Sequence, residues 1–280
     1  ANPDLFWALH GGGGNFGVAT SLTLRLHPMP VATLGMLLWS PEHGPEVTRV
    51  FRDLIESGPN ELSGGLIHLT GPEGEDFVPE HLVNRLACTA VIVYAGGEGD
   101  ARRAIAPLLD RHPEGTMIAE MPYAELQCAL DDPPGYRNYW SAEHLDTFPD
   151  AAVDAFCSTV SDMVVPSPSQ HVLFPLGAPV SGDDYPIPWR SSPWIVHPFG
   201  LWADPSDDAR AIQWTRDVRA AVRAWSSGAV YLNFIGDEGT ERTNAGLGEE
   251  NLARLAAVKA EFDPDNVFHL NHNIEPALRS

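Results

Sequence analysis

Two short stretches of the sequence carry residue types that could take part in ligand chemistry. The first is a run of four glycines at residues 11–14, followed by Asn15, Gly17 and Val18. Glycine has no Cβ, so its backbone N–H groups can approach a bound group closely, and it adopts positive φ angles at little cost. The run leads into residues 21–27, whose alternation predicts a strand, whereas the dinucleotide-binding fingerprint leads into a helix. On its own the run is equally compatible with a tight connection.

The second stretch is residues 230–234, with the sequence Val-Tyr-Leu-Asn-Phe. Side chains two positions apart on a strand share a face, so Tyr231 and Asn233 are expected to point at the same ligand. An aromatic side chain packed in the core is the competing interpretation for Tyr231, and the sequence does not decide between the two.

The elements that must position these residues alternate in type along the chain. The order strand, helix, strand, strand, helix predicts an α+β fold, with an antiparallel or mixed β-sheet flanked by helices. The predicted strands are residues 31–39, 62–69, 87–94, 117–121, 136–140, 171–177 and 194–202. The predicted helices are residues 2–9, the segment around 47–55, residues 101–109 with Asp100 as N-cap, residues 150–163, a long helix that follows Asp204 and Pro205, and residues 249–262.

The composition is that of a globular protein, and it limits the partners. The 38 acidic and 17 basic residues give a formal net charge of −21, which argues against nucleic acid and anionic membranes because both bind cationic surfaces. No apolar run approaches the roughly 18 residues of a membrane span. Cys88, Cys128 and Cys157 lie far apart among apolar neighbours and are expected to be buried free thiols. His269 and His272 lack a suitably spaced third ligand, so no metal site is expected.

Three stretches of the sequence resemble the berberine-bridge-enzyme-like FAD-linked oxidases, a group of the vanillyl-alcohol-oxidase-type flavoproteins. They are residues 2–18, 231–234 and 259–274, and residues 123–127 and 139–140 are also similar to this group. The resemblance implies the substrate domain of such an oxidase together with terminal remnants of its FAD-binding domain. Most of the FAD-binding domain, with its pyrophosphate-binding loop and the histidine that bonds to the flavin, is expected to lie outside this sequence.

The resemblance divides the chain into three parts and assigns roles to individual residues. Residues 1–29 correspond to the end of the FAD-binding domain, residues 30–228 to the substrate-binding domain, and residues 229–280 to a C-terminal segment that returns to the FAD-binding domain. Tyr231 is implied as the catalytic residue near the reacting carbon. Cofactor contacts are implied for Gly13, Gly14, Asn15, Gly17, Val18, Asn233 and Asn271, and substrate contacts for Trp140, Trp189 and Arg190.

The tryptophans keep an alternative interpretation. Trp189 stands where relatives often have a histidine before the arginine, so the acid–base group of those relatives is replaced here. Trp140, Trp189, Trp194 and Trp202 could line an apolar pocket, but such side chains more often belong to the core.

The resemblance implies a FAD-dependent oxidoreductase that oxidises a hydroxyl- or amine-bearing carbon of a small molecule with oxygen as acceptor. FAD is expected in the full-length protein, and this chain alone is expected to bind it weakly or not at all. The alternative is a catalytically inactive fragment that binds a small molecule or a partner chain, including a second copy through uncovered apolar surface. The sequence leaves the cellular location open, with the cytoplasm favoured.

Overall fold

The structure, a computed structural model, describes residues 2–29, 31–129, 131, 134–176, 185–236, 238–270 and 272–278. The strands are β1 (Ala32–Trp39), β2 (Leu62–Thr70), β3 (Leu86–Tyr94), β4 (Gly115–Met121), β5 (Arg137–Trp140), β6 (Glu143–Leu145), β7 (Gln170–Pro175) and β8 (Trp194–Trp202). The helices are α1 (Pro3–Ala8), α2 (Gly44–Ser57), α3 (Glu98–Ala104), α4 (Ala106–Leu109), α5 (Tyr123–Cys128), α6 (Asp150–Ser158), α7 (Asp208–Val222), α8 (Thr240–Leu247) and α9 (Glu249–Phe262).

The strands form one 8-stranded sheet in the order β4–β1–β3–β2–β7–β8–β5, with β6 paired to β8. The pairings between these described strands are antiparallel, which confirms the predicted α+β fold with a sheet flanked by helices. Because side chains alternate between the faces of a strand, the register sets Leu66 beside Ala90 and His68 beside Cys88 on the same face.

Helices α2, α4, α6 and α7 cover that face and form the main core with it. The largest fully buried aromatic side chains are Trp39, Phe51, Phe156, Trp194 and Trp214. Burying an aromatic side chain removes about 150–250 Å² of its surface from water. Trp194 and Trp202 both belong to cores, so the core interpretation is correct for these two tryptophans.

A second core contains residues from both ends of the chain. Trp7 of α1 and Phe16, just after the glycine run, pack with Leu255 and Val258 of α9 and with Ile274. The apolar side chains of α9, Leu252, Leu255, Val258 and Phe262, all belong to this core or pack against it. The division of the chain into three domains stays a prediction.

Lys259, the single lysine of the sequence, is fully buried in this second core. Its Nζ donates to Asp263 Oδ2 at 2.5 Å, to Phe268 O at 2.6 Å and to Asn15 O at 2.7 Å. The three donors of the ammonium group are therefore all used. They connect α9, the C-terminal segment and the glycine run.

The predicted strand at residues 21–27 is wrong. Residues 17–29, called here the extended segment, pair with no strand of the described chain, and a strand needs a neighbour to satisfy its backbone groups. The side chains of Val18, Leu22, Leu24 and Leu26 are 77, 77, 74 and 87% exposed. The alternation that predicted a strand therefore lies on the surface of this structure.

Smaller differences have local causes. The helix predicted at residues 101–109 is divided into α3 and α4 at Ile105, because Pro107 lacks an N–H group and cannot continue the helix. The N-cap of α3 is Gly97, so the prediction for Asp100 is wrong. Cys128 is exposed rather than buried, since no residue of the short helix α5 is buried. Helices α5 and α8 and strand β6 were not predicted.

Candidate active site

The glycine run makes a tight turn directly after α1. A Cβ on Gly12 would lie 2.5 Å from the Phe16 ring and 2.6 Å from the Ala8 carbonyl oxygen, so only glycine fits there. A Cβ on Gly14 would meet nothing within 4 Å. Gly13 has a φ of 65°, in the left-handed region that favours glycine. Gly12 is therefore closely packed, and open space lies beside Gly14.

Asn15 holds this turn against the C-terminal segment. Its Nδ2 donates to Gly12 O at 2.8 Å and to His272 O at 3.2 Å, and its Oδ1 accepts from the N–H of Ile274 at 2.9 Å. The side chain is fully buried. Asn15 thus positions the turn, and its implied cofactor contact stays a prediction.

Residues 230–234 contain a turn, not the predicted strand. The N–H of Phe234 donates to Tyr231 O at 2.8 Å, and Leu232–Phe234 form a short 3₁₀ helix. The five-residue alternation is too short to separate these two conformations. The turn nevertheless brings the two predicted side chains together, because Asn233 Nδ2 donates to the phenolic oxygen of Tyr231 at 2.8 Å.

Two cavities adjoin this turn, and Gly13, Leu232 and Asn233 lie in the walls of both. The larger one, called here the polar cleft, has a volume of about 800 Å³. It is also lined by Gly14, Asn138, Tyr139, Trp140, Ile235, Gly236, Gly239, Thr240, Thr243, His272, Asn273 and Glu275. The smaller one, called here the small pocket, has a volume of about 330 Å³. It is also lined by Leu9, His10, Gly11, Pro186, Ile187, Val230, Tyr231 and Leu247.

One buried acceptor of the polar cleft has no partner in the described part of the chain. Asn273 Nδ2 donates to Glu275 Oε1 at 2.7 Å, but Asn273 Oδ1 accepts no hydrogen bond from the described residues. A buried polar atom without a partner costs free energy, so such an atom often marks a place where a ligand or water binds. Asn271, the predicted neighbour, lies outside the described residues.

The predicted substrate residues do not meet in one cavity. Trp140 lines the polar cleft and stacks on Phe199, with ring centroids 4.7 Å apart. Arg190 lies over the Tyr185 ring, 5.6 Å from its centroid, and lines neither cavity. The side chain of Trp189 lies outside the described residues. Gly17 and Val18, predicted cofactor contacts, belong to the extended segment and line neither cavity.

Sequence reasoning missed a ring of four charges beside the polar cleft. Arg219 donates to Glu143 at 2.9 Å and to Glu238 at 2.5 Å, and Arg242 donates to Glu143 at 3.2 Å. The side chains of Glu143 and Glu238 are only 5 and 4% exposed. The ring fixes residues 239–243 of the cleft wall against β6 and α7. Glu238 and Arg242 are four positions apart, but Arg219 lies 76 positions from Glu143 and 19 from Glu238, so the sequence gave no signal for the ring as a whole.

His197 was also missed, and it supports the Tyr231 turn from β8. Its Nδ1–H donates to Ser141 O at 2.7 Å, and its ring stacks on Phe234 with centroids 4.5 Å apart. Burial lowers the pKa of His197 to about 4, although the Ser141 hydrogen bond opposes this shift. The imidazole is therefore neutral at neutral pH, and it holds Phe234 by stacking.

Metal and membrane binding find no support in the residues that the structure describes. No group of three or more His, Cys, Asp or Glu side chains among them is arranged to hold a metal ion. None of the described helices is long and apolar enough to cross a membrane.

Comparison with known proteins shows which family part of this chain is similar to. Residues 230–275, which contain the Tyr231 turn and the C-terminal wall of the polar cleft, match the family model described as "Berberine and berberine like". Together with the fold, this match confirms the resemblance to the berberine-bridge-enzyme-like FAD-linked oxidases.

Individual relatives agree with this class. An uncharacterized FAD-linked oxidoreductase, YgaK of Bacillus subtilis, is 25% identical over 289 residues, which cover 100% of this chain and 60% of that protein. The (R)-6-hydroxynicotine oxidase of Paenarthrobacter nicotinovorans is 27% identical, covering 98% of this chain and 61% of its own length. The solved structure of a chitooligosaccharide oxidase superposes with a TM-score of 0.75 at 21% identity, covering 99% of this chain and 62% of that one. The chain thus spans about 60% of the length of these relatives.

Proposed function

We propose that this chain supplies the substrate-binding and C-terminal part of a FAD-dependent oxidoreductase. The reaction oxidises a hydroxyl- or amine-bearing carbon of a small molecule, with oxygen as the acceptor. The names of the relatives as FAD-linked oxidoreductases and oxidases support the cofactor and the reaction class. The observation that carries the proposal is the hydrogen bond from Asn233 to the Tyr231 phenolic oxygen, in a turn that borders both cavities.

The residues of the polar cleft fit a flavin. Gly13 and Gly14 line the cleft, and a Cβ on Gly14 would meet nothing within 4 Å, so a flat ring could lie close to the backbone there. Asn273 Oδ1 is a buried acceptor without a partner among the described residues, suited to an N–H at the edge of such a ring. Gly13, Gly14, Asn233 and Asn273 would therefore hold the cofactor, and the contact predicted for Asn271, which lies outside the described residues, stays a prediction. When bound, the flavin supplies the capacity to accept a hydride.

Tyr231 would meet the reacting hydroxyl or amine from the small pocket. Its phenolic oxygen accepts the Asn233 amide N–H at 2.8 Å, which fixes the direction of the phenol. In the proposed reaction Tyr231 would orient the substrate and accept its proton. Asn233 keeps the phenol in place, and His197 and Phe234 support the turn from behind.

FAD is proposed for the full-length protein, with weak binding to this chain alone. Pyrophosphate groups are commonly held by cationic side chains. Neither cavity has an Arg or Lys among its described lining residues. A stable flavin absorbance that co-purifies with the 280-residue chain would contradict this part of the proposal.

The test of the function is substrate turnover in the flavin-loaded protein. A substrate found by an oxygen-uptake screen should be oxidised about 100-fold more slowly by the Tyr231→Phe variant, because general-base catalysis contributes roughly 10²–10⁴-fold. Tyr123→Phe, on the exposed surface of α5, is the matched control and should keep full activity. Equal turnover by wild type and Tyr231→Phe would refute the role of Tyr231.

A second candidate function, a binding module that associates with a second copy of itself, has one specific observation in its favour. The extended segment leaves unpaired backbone groups and five large apolar side chains exposed, and exposed backbone of this kind can pair with another chain as an edge strand does. Light scattering should then show a dimer of the flavin-free chain, and Leu24→Lys should shift it toward monomer. A monodisperse monomer at all concentrations tested would exclude this function.

A further inference from the structure

Two parts of the wall of the polar cleft come from opposite ends of the chain. Gly13 and Gly14 form the N-terminal wall, and His272, Asn273 and Glu275 form the C-terminal wall. A flat ring that lies against Gly14 and bonds to Asn273 has to touch both walls at once. The separation between the walls therefore decides whether the two contacts can form together, and only tertiary contacts can fix it.

The side chain of Asn15 joins the two walls directly. Its Nδ2 donates to Gly12 O at 2.8 Å and to His272 O at 3.2 Å, and its Oδ1 accepts from the Ile274 N–H at 2.9 Å. The bonds to residues 272 and 274 hold the backbone on both sides of Asn273. Asn15 is fully buried, and both N–H donors of its amide are used. It would therefore act on a ligand through the two walls.

A second linkage, from α9, reaches the same two places. Lys259 Nζ donates to Asn15 O at 2.7 Å on the N-terminal side and to Phe268 O at 2.6 Å on the C-terminal side. Asp263 pairs with the ammonium group at 2.5 Å and accepts the N–H groups of Val267 and Phe268, each at 2.9 Å. One buried ion pair thus binds the segment that leads to the C-terminal wall both to the helix and to the glycine run.

The backbone of the C-terminal wall needs such support. His272 has a φ of 55°, in the left-handed region, which costs a residue with a side chain free energy unless the surrounding structure holds it there. Two tertiary contacts do so. Asn15 Nδ2 donates to the His272 carbonyl oxygen, and Thr243 Oγ1 is hydrogen-bonded to His272 Nδ1 at 3.3 Å. Losing the Asn15 bonds should let residues 272–274 relax away from the glycine run.

We infer that Asn15 and Lys259 set the separation of the two walls, and so position Gly14 and Asn273 for a bound flavin ring. This inference rests on the proposed function and deepens it, because it names residues that assemble the cofactor site. Asn15 is then a positioning residue, a role that differs from the cofactor contact implied by the resemblance. A binding site has to be held to within about 0.5 Å, so losing either linkage should weaken flavin binding even in a folded chain.

Riboflavin binding to the flavin-free chain tests this inference. Riboflavin carries the flavin ring without a pyrophosphate, so its binding does not require cationic side chains. Titrations would be followed by flavin fluorescence and visible circular dichroism, at a temperature at which every variant is folded. Asn15→Leu keeps the size of the side chain but removes its three hydrogen bonds, and Lys259→Met removes the ammonium group. We expect each variant to bind riboflavin about tenfold more weakly and to alter the circular dichroism band of the bound ring.

Three further variants make the result specific. Asn15→Ser, whose side chain is too short to join both walls, replaces Asn15→Leu if that variant does not fold. Asn251→Leu makes the same substitution on α9, where Asn251 Nδ2 donates to Leu247 O at 3.0 Å and Asn251 is not among the described lining residues of either cavity. Leu66→Ala lowers the stability of the main core by removing buried methyl groups. Asn251→Leu and Leu66→Ala should both keep the wild-type affinity and circular dichroism band.

The outcomes separate this inference from the proposed function. Wild-type affinity and an unchanged circular dichroism band in the Asn15 variant and in Lys259→Met, or an equal loss of affinity in Leu66→Ala, would overturn the inference and leave the proposed function standing. A wild-type chain that binds no riboflavin would overturn it together with the placement of the flavin in the polar cleft. Neither result involves turnover, so the reaction itself is still decided by the Tyr231→Phe test.

Discussion

We expect the buried ammonium group of Lys259 to contribute more to the free energy of unfolding than any other single group where the two ends of the chain meet. Lys259→Met keeps a long apolar side chain in the same space but removes all three hydrogen-bond donors. Asp263 then loses its counter-charge, and the carbonyl groups of Asn15 and Phe268 lose their donor. The packing of α9 should survive, so the variant isolates the electrostatic and hydrogen-bond contribution.

The expected magnitude follows from the burial of the pair. The side chains of Lys259 and Asp263 are 0 and 5% exposed. Removing one partner of a buried ion pair costs about 3–5 kcal/mol because the other charge is left uncompensated. The total stability of a domain is only about 5–15 kcal/mol. Lys259→Met should therefore lower the free energy of unfolding by a large fraction of the total.

Urea unfolding followed by tryptophan fluorescence measures this loss, and hydrogen exchange locates it. We expect faster exchange at residues 12–16 and 263–274, which Lys259 connects, and little change in the main sheet. Arg254→Met is the matched control on the same helix, because Arg254 pairs with Asp4 at 3.0 Å in an exposed position. Its ion pair should be worth about 1 kcal/mol or less. A loss below about 1 kcal/mol for Lys259→Met would refute the reasoning.

Three further predictions concern the core, the glycine turn and acid stability. Burial holds the pKa of His68 at about 4, below its usual value of about 6.5. The unfolded chain therefore binds this proton first, and stability should fall by roughly 3 kcal/mol as the pH drops from about 6.5 to 4; a His68→Leu variant with the same acid dependence would contradict this. Gly12→Ala should destabilise the second core by forcing Phe16 and Ala8 apart, whereas Gly14→Ala should be tolerated in the flavin-free chain, as thermal unfolding will show. The hydrogen bonds from Lys259 and from the backbone outweigh the desolvation of Asp263 and lower the pKa of its carboxyl group to about 2. The stabilisation that this carboxylate provides should persist above about pH 4 and be lost between about pH 4 and 2. Asp263→Asn should remove that acid-dependent part of the unfolding profile.

The sequence predicted the helices and strands well where the hydrophobic periodicity extends over many residues. Residues 194–202 and 249–262 have the predicted bounds in β8 and α9, since a nine-residue buried strand and a fourteen-residue amphipathic helix carry many independent positions. Residues 21–27 have an equally clear alternation, but a strand also needs a neighbour, and a pattern within one segment cannot supply that information. Pro107 shows the opposite case, in which one residue divides a helix that the pattern alone predicts as continuous.

The candidate site was predictable only in part. The sequence singled out Tyr231 and Asn233, and the structure brings them within hydrogen-bond distance, although by a turn instead of a strand. The position of Asn15 could not be inferred, because its partners at residues 272 and 274 lie more than 250 positions away in the chain. The charge ring of Glu143, Glu238 and two arginines is likewise a product of tertiary structure.

The claim that Tyr231 and Asn233 act as one unit in the oxidation is tested most directly by a double-mutant cycle. The rate of flavin reduction by substrate would be measured in single turnovers without oxygen, for Tyr231→Phe, Asn233→Ala and the double variant. Because Asn233 is proposed to act through the Tyr231 oxygen, the double variant should be no slower than Tyr231→Phe alone, at about 100-fold below wild type. Losses that multiply in the double variant, or an unchanged rate in Tyr231→Phe, would contradict the account.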